Sequence, residues 1–91
     1  MMIERAVEWL LKDEDAKRIF RALNESEGEV SASELLKLLP RPEAWVLRCI
    51  LERMVDYGVL SRTPNGRFAL TESGRKLVEL EKSLGEVKKI G

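Results

Sequence analysis

The order of patterns between residues 29 and 75 restricts the fold more than any other feature. Two helical patterns cover 31–39 and 43–57, and two short strand patterns cover 59–63 and 67–71. Pro40 and Pro42 separate the helices, because proline lacks the N–H that a helix interior requires. Asn65-Gly66 lies between the strands, where this dipeptide favours a tight hairpin turn. The sequence therefore predicts helix, turn, helix and β-hairpin in one continuous unit.

Local signals fix where these elements begin and end. Ser31 and Glu34 have the spacing of a capping box at the start of the first helix. Pro42 suits the first turn of the second helix, and Gly58 suits the left-handed position after its end. The residues expected to face the core are Leu35, Leu36, Leu38 and Leu39 in the first helix, and Leu47, Ile50, Leu51, Met54 and Val55 in the second.

Further helices flank this unit on both sides. Residues 2–12 form an amphipathic pattern, and Asp13 can cap a second helix with an apolar face of Ala16, Ile19, Phe20 and Leu23. Whether 2–23 bends at Asp13 or runs straight stays open. Thr71 can cap a last helix, in which Leu77, Leu80, Leu84 and Val87 make a heptad-like seam. We expect one domain over 1–91: an N-terminal helix (1–12), a core motif with the hairpin (13–75) and a C-terminal helix (72–90).

The types of residue present exclude several kinds of chemistry. The chain has 91 residues, no histidine and a single cysteine, Cys49, so an internal disulfide, a His/Cys zinc site and histidine-based catalysis are impossible. No nucleophile is paired with a base, and there is no glycine-rich phosphate loop. We therefore expect no enzyme activity, no cofactor and no metal. Cys49 is expected to be a small packing residue rather than a redox sensor.

Hydropathy and composition bear on location and source. No apolar run approaches the roughly 20 residues of a membrane span, and the N-terminus does not resemble a signal peptide. We expect a cytoplasmic protein with no membrane contact. Glutamine is absent, and Glu, Lys and Arg are abundant. This is typical of thermophiles, although a GC-biased codon usage would produce the same composition.

Charge is balanced overall but uneven along the chain. There are 16 acids and 16 bases, which argues against strong non-specific binding of DNA. Residues 1–57 carry nine bases and twelve acids, whereas residues 58–91 carry seven bases and four acids. The hairpin and the last helix are therefore the basic end, where contacts to phosphate would be expected.

One motif is Leu47-x3-Leu51-x2-Met54-x3-Gly58-Val59-Leu60, and a second runs from Arg67 to Thr71-Glu72-x-Gly74. Together they resemble winged helix-turn-helix regulators of the MarR, PadR and ArsR type, particularly small archaeal members. The resemblance covers about half the chain. It implies a mainly α fold with a small β-hairpin, and a short strand at Glu29-Val30 that pairs with this hairpin. It also implies sequence-specific binding of double-stranded DNA in transcriptional control.

Five residues are candidates for DNA contact under this interpretation. In the second helix of the motif, Arg41, Trp45 and Arg48 would read bases or contact phosphates. Arg62 and Arg67 flank the hairpin turn and would lie along the backbone or in the minor groove. The alternatives are solvated charges, a partly packed Trp45 and a cross-strand charged pair. Arg75, Lys76, Lys82, Lys88 and Lys89 alternate with acids, so helix ion pairs are the favoured interpretation there.

Three functions compete. The first is a homodimeric transcriptional regulator that pairs through 2–12 and 76–90 and presents two reading helices to the duplex. The second is a winged-helix module that binds protein inside a larger nucleic-acid-processing complex, as neutral charge and the acids Glu43 and Glu52 would favour. The third, non-specific chromatin packing, is disfavoured because such proteins are usually basic.

Overall fold

In a computed structural model of the chain, the helices and strands follow the predicted order. The structure describes residues 2–26 and 28–90, and it describes side chains for 4–26 and 28–83. The elements are α1 (Met2–Lys12), α2 (Glu14–Glu25), α3 (Ala32–Leu36), α4 (Ala44–Asp56), β1 (Leu60–Arg62), β2 (Phe68–Leu70) and α5 (Glu72–Ile90). The predicted mainly helical fold with a small antiparallel β-hairpin is confirmed.

The helical conformation is interrupted between α1 and α2 at Asp13. This residue has an extended backbone, with φ −103° and ψ 104°. Its carboxylate accepts a hydrogen bond from the Ala16 N–H at 3.0 Å, which satisfies one of the free donors at the start of α2. Residues 2–23 therefore form two helices, each with its own apolar face.

The helix α3 is shorter than predicted. The Ser31 hydroxyl accepts from the Glu34 N–H at 3.3 Å, which confirms its role as N-cap. After Leu36 the backbone tightens, and the Leu38 N–H donates to the Leu35 carbonyl at 3.0 Å. This turn changes the helical periodicity, so Leu35 and Leu39 are buried but Leu38 is 38% exposed. The prediction that Leu38 lies in the core was wrong.

The start of α4 also differs from the prediction. Ala44 is its first residue, and Glu43 is an N-cap without a side-chain cap bond. Pro42 precedes this cap, so its predicted place in the first helical turn was wrong. The Glu43 N–H donates to the Arg41 carbonyl at 2.7 Å, which makes Pro42 the centre of a three-residue turn. The fixed φ of proline suits such a turn as well as it suits a helix.

The hairpin has three residues in each strand instead of five. Leu60 pairs with Leu70, Ser61 with Ala69 and Arg62 with Phe68. Gly58 and Gly66 have positive φ values of 77° and 78°, as expected for the helix end and the hairpin turn. Val30 forms an isolated bridge to Phe68 through hydrogen bonds of 2.8 and 2.9 Å, which confirms the predicted pairing of this segment with the hairpin.

The terminal helices share one core with the central motif. Of the predicted apolar stripe of α1, Val7 and Leu10 are buried and Leu11 is half-buried, and the Ile3 side chain lies outside the described residues. Ala6 is also buried, and α1 packs against α2 and α5 of the same chain. The dimer prediction was motivated by apolar stripes on both terminal segments, and much of the α1 stripe packs within the chain instead. In the α5 seam, Leu77 is fully buried and Leu80 is 44% exposed. The side chains of Leu84 and Val87 lie outside the described residues.

The junction between the hairpin and α5 is held by Thr71. Its hydroxyl accepts from the Gly74 N–H at 3.1 Å, which confirms the predicted cap, and donates to the Gly58 carbonyl at 2.7 Å. The Thr71 N–H donates to the Val59 carbonyl at 3.1 Å. Gly74 lies directly over that carbonyl, and a Cβ there would be well inside van der Waals contact with its oxygen. The first turn of α5 can approach Val59, the residue before β1, this closely only without a side chain.

Candidate nucleic-acid interface

An open groove runs between α3, α4 and the hairpin. Its lining is mainly apolar and includes Leu36, Leu47, Leu51 and Phe68. Arg48 and Arg62 are the two charged residues in this lining. The fold thus brings together one arginine from the helix and one from the hairpin, which the sequence had predicted only as separate candidates. We call this feature the α4–hairpin groove.

The two arginines reach the groove for different local reasons. The core side of α4 is fixed by four buried residues, Leu47, Ile50, Leu51 and Met54. Helical periodicity then leaves Arg48 exposed at the border nearest the hairpin. Arg62 ends β1 directly opposite Phe68, and its guanidinium carbon lies 5.9 Å from the centre of the Phe68 ring. This distance is short enough for a cation–π interaction, which keeps Arg62 over the hairpin face that borders the groove.

Trp45 and Arg41 lie together at the start of α4, beside a second surface depression. Trp45 is 65% exposed. Its indole N–H donates to Glu43 Oε2 at 2.7 Å, which orients both side chains. Asp15 also lines this depression and places a carboxylate near Arg41. Arg41 and Trp45, both predicted to contact DNA, are therefore separate from the Arg48–Arg62 pair.

Arg67 lies at the hairpin turn, outside the groove. Its N–H donates to the Thr63 hydroxyl at 3.0 Å, and its carbonyl accepts from the Thr63 N–H at 2.8 Å. Its side chain is exposed. The amide of Asn65 contacts Glu29 Oε1 at 3.4 Å, so a carboxylate from the segment before α3 lies beside this turn. Sequence reasoning missed Glu29, because the contact joins residues 36 positions apart.

The described ion pairs lie on elements other than α4 and the hairpin. Among the described side chains, ion pairs join Lys12 to Glu8, Lys17 to Glu14, Arg18 to Asp15, Arg21 to Glu81 and Lys76 to Glu72. All five lie on α1, α2 and α5. Within this part of the chain, none involves Arg41, Arg48, Arg62 or Arg67. Glu52 and Asp56 are also exposed on α4, so the same helix carries negative charge towards its C-terminal end.

The basic residues of α5 agree only partly with the expected ion pairs. Lys76 pairs with Glu72 at 3.8 Å, as predicted. Arg75 and Lys82 have no ion pair among the described side chains. The side chains of Lys88 and Lys89 lie outside the described residues. Some of the positive charges on α5 therefore have no ion-pair partner among the described side chains.

Two further side chains differ from expectation. Cys49, which was expected to be a small packing residue, is exposed on α4. Glu81, which the sequence placed among surface ion pairs, is only 7% exposed and contacts Arg21 Nη2 at 3.1 Å. This contact ties α5 to α2. Glu81 therefore belongs to the framework of the fold and not to the candidate interface.

Comparisons with known proteins do not place the chain in a family. No protein-family model matches it, and no curated protein matches it in sequence. Over the described residues, no helix has both the length and the apolar composition needed to cross a membrane.

Proposed function

We propose that the surface formed by α4 and the hairpin binds double-stranded DNA, and that the protein is a transcriptional regulator without catalytic activity. The observation that supports this most is that Arg48 from α4 and Arg62 from the hairpin line the same groove. The described ion pairs all lie on α1, α2 and α5, whereas the four candidate arginines take part in none of them. Arginines without carboxylate partners are available to phosphates. Such a regulator would act in the cytoplasm, where the chromosome of a prokaryote is accessible.

The geometry divides the contacts into two kinds. The helix α4 has 13 residues and is about 20 Å long, and a helix of this kind fits the major groove of B-DNA. Arg41, Trp45 and Arg48 lie at or near its N-terminal half, the part that reads bases in helix-turn-helix proteins. Arg62 and Arg67 would contact the sugar–phosphate backbone or the adjacent minor groove.

We also propose a two-fold dimer, although fewer apolar residues are left to support it than the sequence suggested. The α1 stripe is occupied within the chain, so the outer side of α5, where Leu80 is exposed, is the remaining surface. A dimer through α5 would present two copies of α4 to half-sites about one duplex turn apart. Light scattering that gives the mass of a single chain at tens of micromolar protein would remove the dimer from the proposal.

The salt dependence of DNA binding tests the proposed function. Fluorescence anisotropy with mixed-sequence duplexes should show an observed association constant that falls as salt rises. The slope of log K against log salt should lie between about −2 and −4, because each neutralised phosphate contributes about −0.9 and four arginines are available. Undetectable binding, or an affinity that does not change with salt, would contradict the proposal.

Arg48 should determine sequence preference more than overall affinity. Arginine recognises guanine through O6 and N7, so Arg48→Ala should relax the preference at one base pair by roughly 1–3 kcal/mol. Selection of bound fragments from random DNA, followed by affinity measurements on single-base variants, would detect this. Arg75→Ala is the matched control, because Arg75 is also an exposed arginine without a described ion pair, but it lies on α5. An unchanged preference in Arg48→Ala would exclude Arg48 as a reader of bases.

A protein-interaction module is the second candidate, favoured by the apolar lining of the α4–hairpin groove. Leu36, Leu47 and Leu51 form much of its floor, and interfaces with DNA are generally more polar. Glu52 and Asp56 on α4 would also repel phosphate. Under this alternative, duplex DNA would bind weakly or with no dependence on salt.

A further inference from the structure

A second cationic cleft lies between α1 and the C-terminal half of α4. It has a volume of about 430 Å³ and is lined by Arg5, Glu8, Trp9, Lys12, Arg53 and Tyr57. We call it the α1–α4 cleft. Arg53 and Arg48 are separated by about 140° around the axis of α4, so this cleft lies on the other flank of the helix from the α4–hairpin groove.

The charge of the α1–α4 cleft is positive in a chain that is neutral overall. Its lining contains three cations and one carboxylate. That carboxylate, Glu8, already contacts Lys12 at 3.3 Å. Arg5 and Arg53 have no ion pair among the described side chains. The lining therefore carries an excess of two positive charges that no carboxylate among the described side chains pairs with.

Arg53 is held in place by aromatic rings instead of a carboxylate. Its guanidinium carbon lies 4.8 Å from the centre of the Trp9 ring and 5.7 Å from the centre of the Tyr57 ring. Its Nε and Nη2 both donate to the Tyr57 hydroxyl at 3.3 Å. The two rings are themselves 5.8 Å apart and tilted by 57°. Packing and hydrogen bonds thus fix the plane of the guanidinium, and no described carboxylate pairs with it.

We propose that the α1–α4 cleft binds a small phosphorylated ligand through its phosphoryl oxygens. A planar guanidinium matches the geometry of an oxyanion, and an arginine that is already ordered loses less entropy on binding. Arg5 and Lys12 supply additional positive charge from α1. The position on the far flank of α4 distinguishes this site from the candidate DNA surface.

Inorganic pyrophosphate is a suitable probe, and Trp9 is a natural reporter. The chain has two tryptophans, so Trp45→Phe leaves Trp9 as the only one. Pyrophosphate should change the Trp9 fluorescence of this variant in a saturable way, and sodium chloride at the same ionic strength should not. Calorimetry on the wild-type chain should give the same dissociation constant.

Variants of Arg53 and Arg5 then locate the site. Arg53→Gln should raise the dissociation constant for pyrophosphate, measured by calorimetry, by about tenfold or more, because a charge-assisted contact is lost. Arg5→Gln should also weaken binding, whereas the matched control Arg75→Gln should leave it unchanged. Circular dichroism would verify that each variant is folded, and Arg5→Gln provides the test if Arg53→Gln is not.

Three results would overturn this proposal. The first is a response to pyrophosphate no larger than the response to sodium chloride. The second is unchanged affinity in a folded Arg53→Gln or Arg5→Gln chain. The third is a loss of duplex-DNA affinity in Arg53→Gln as large as its loss of pyrophosphate affinity, which would make the cleft part of a nucleic-acid surface.

Discussion

Replacing Arg62 and Arg67 together with alanine should weaken binding to every duplex by about a hundredfold. Each arginine is exposed at the hairpin and has no ion pair among the described side chains. A hydrogen bond to a charged group contributes about 1.5 kcal/mol or more, so two lost phosphate contacts correspond to roughly two orders of magnitude. Because phosphates carry no sequence information, the loss should be the same for all sequences.

Anisotropy titrations at several salt concentrations measure this effect. The slope of log K against log salt should become less negative by about 2 in the double variant, since two fewer phosphates are neutralised. The control removes two arginines from other elements, Arg18→Ala on α2 with Arg75→Ala on α5, and should leave the slope unchanged. If the hairpin variant and this control lose affinity equally, binding depends on total charge and not on the hairpin.

Gly74→Ala should lower the free energy of unfolding by about 1–3 kcal/mol. In an ordinary helix this substitution would stabilise the protein by roughly 1 kcal/mol, because alanine has the higher helix propensity. Here the new Cβ would collide with the Val59 carbonyl oxygen, which also accepts the hydrogen bond of the Thr71 N–H. Backbone cannot move aside as a flexible side chain can, so overpacking should outweigh propensity. For a chain of this size, the midpoint of thermal unfolding should fall by about 5–20 °C.

Ser73→Ala is the matched control for this prediction. Ser73 precedes Gly74 in the same turn of α5, but it is exposed. Its substitution should change stability by less than about 0.5 kcal/mol. Thermal unfolding followed by circular dichroism compares the two variants directly. A Gly74→Ala chain as stable as wild type would show that α5 does not need this close approach to Val59.

The sequence predicted the elements of the fold because each has a strong local signal. Asp13, Ser31 and Thr71 all cap the helices that they were expected to cap. Gly66 has the positive φ that the hairpin turn requires. Two of the errors arose where the backbone departs from regular periodicity. Leu38 is exposed because α3 ends in a tight turn, and Pro42 forms a turn of its own before α4.

The candidate surfaces could be predicted only in part, because they depend on contacts between distant segments. The sequence identified Arg48 and Arg62 separately, and only the fold places both on one groove. Nothing in the sequence showed that Trp9 would pack near Tyr57 and hold Arg53. The α1 stripe was assigned to a dimer because an amphipathic pattern indicates that a face is buried, but not which surface buries it.

The central claim is that duplex DNA binds to the surface of α4 and the hairpin, and amide chemical-shift mapping tests it most directly. On addition of a selected duplex to the isotope-labelled chain, we predict the largest shifts at residues 41–49 and 61–67. Amides on the outer sides of α1 and α2 should change little. Shifts concentrated on those two helices, or no shifts at saturating DNA, would contradict the claim.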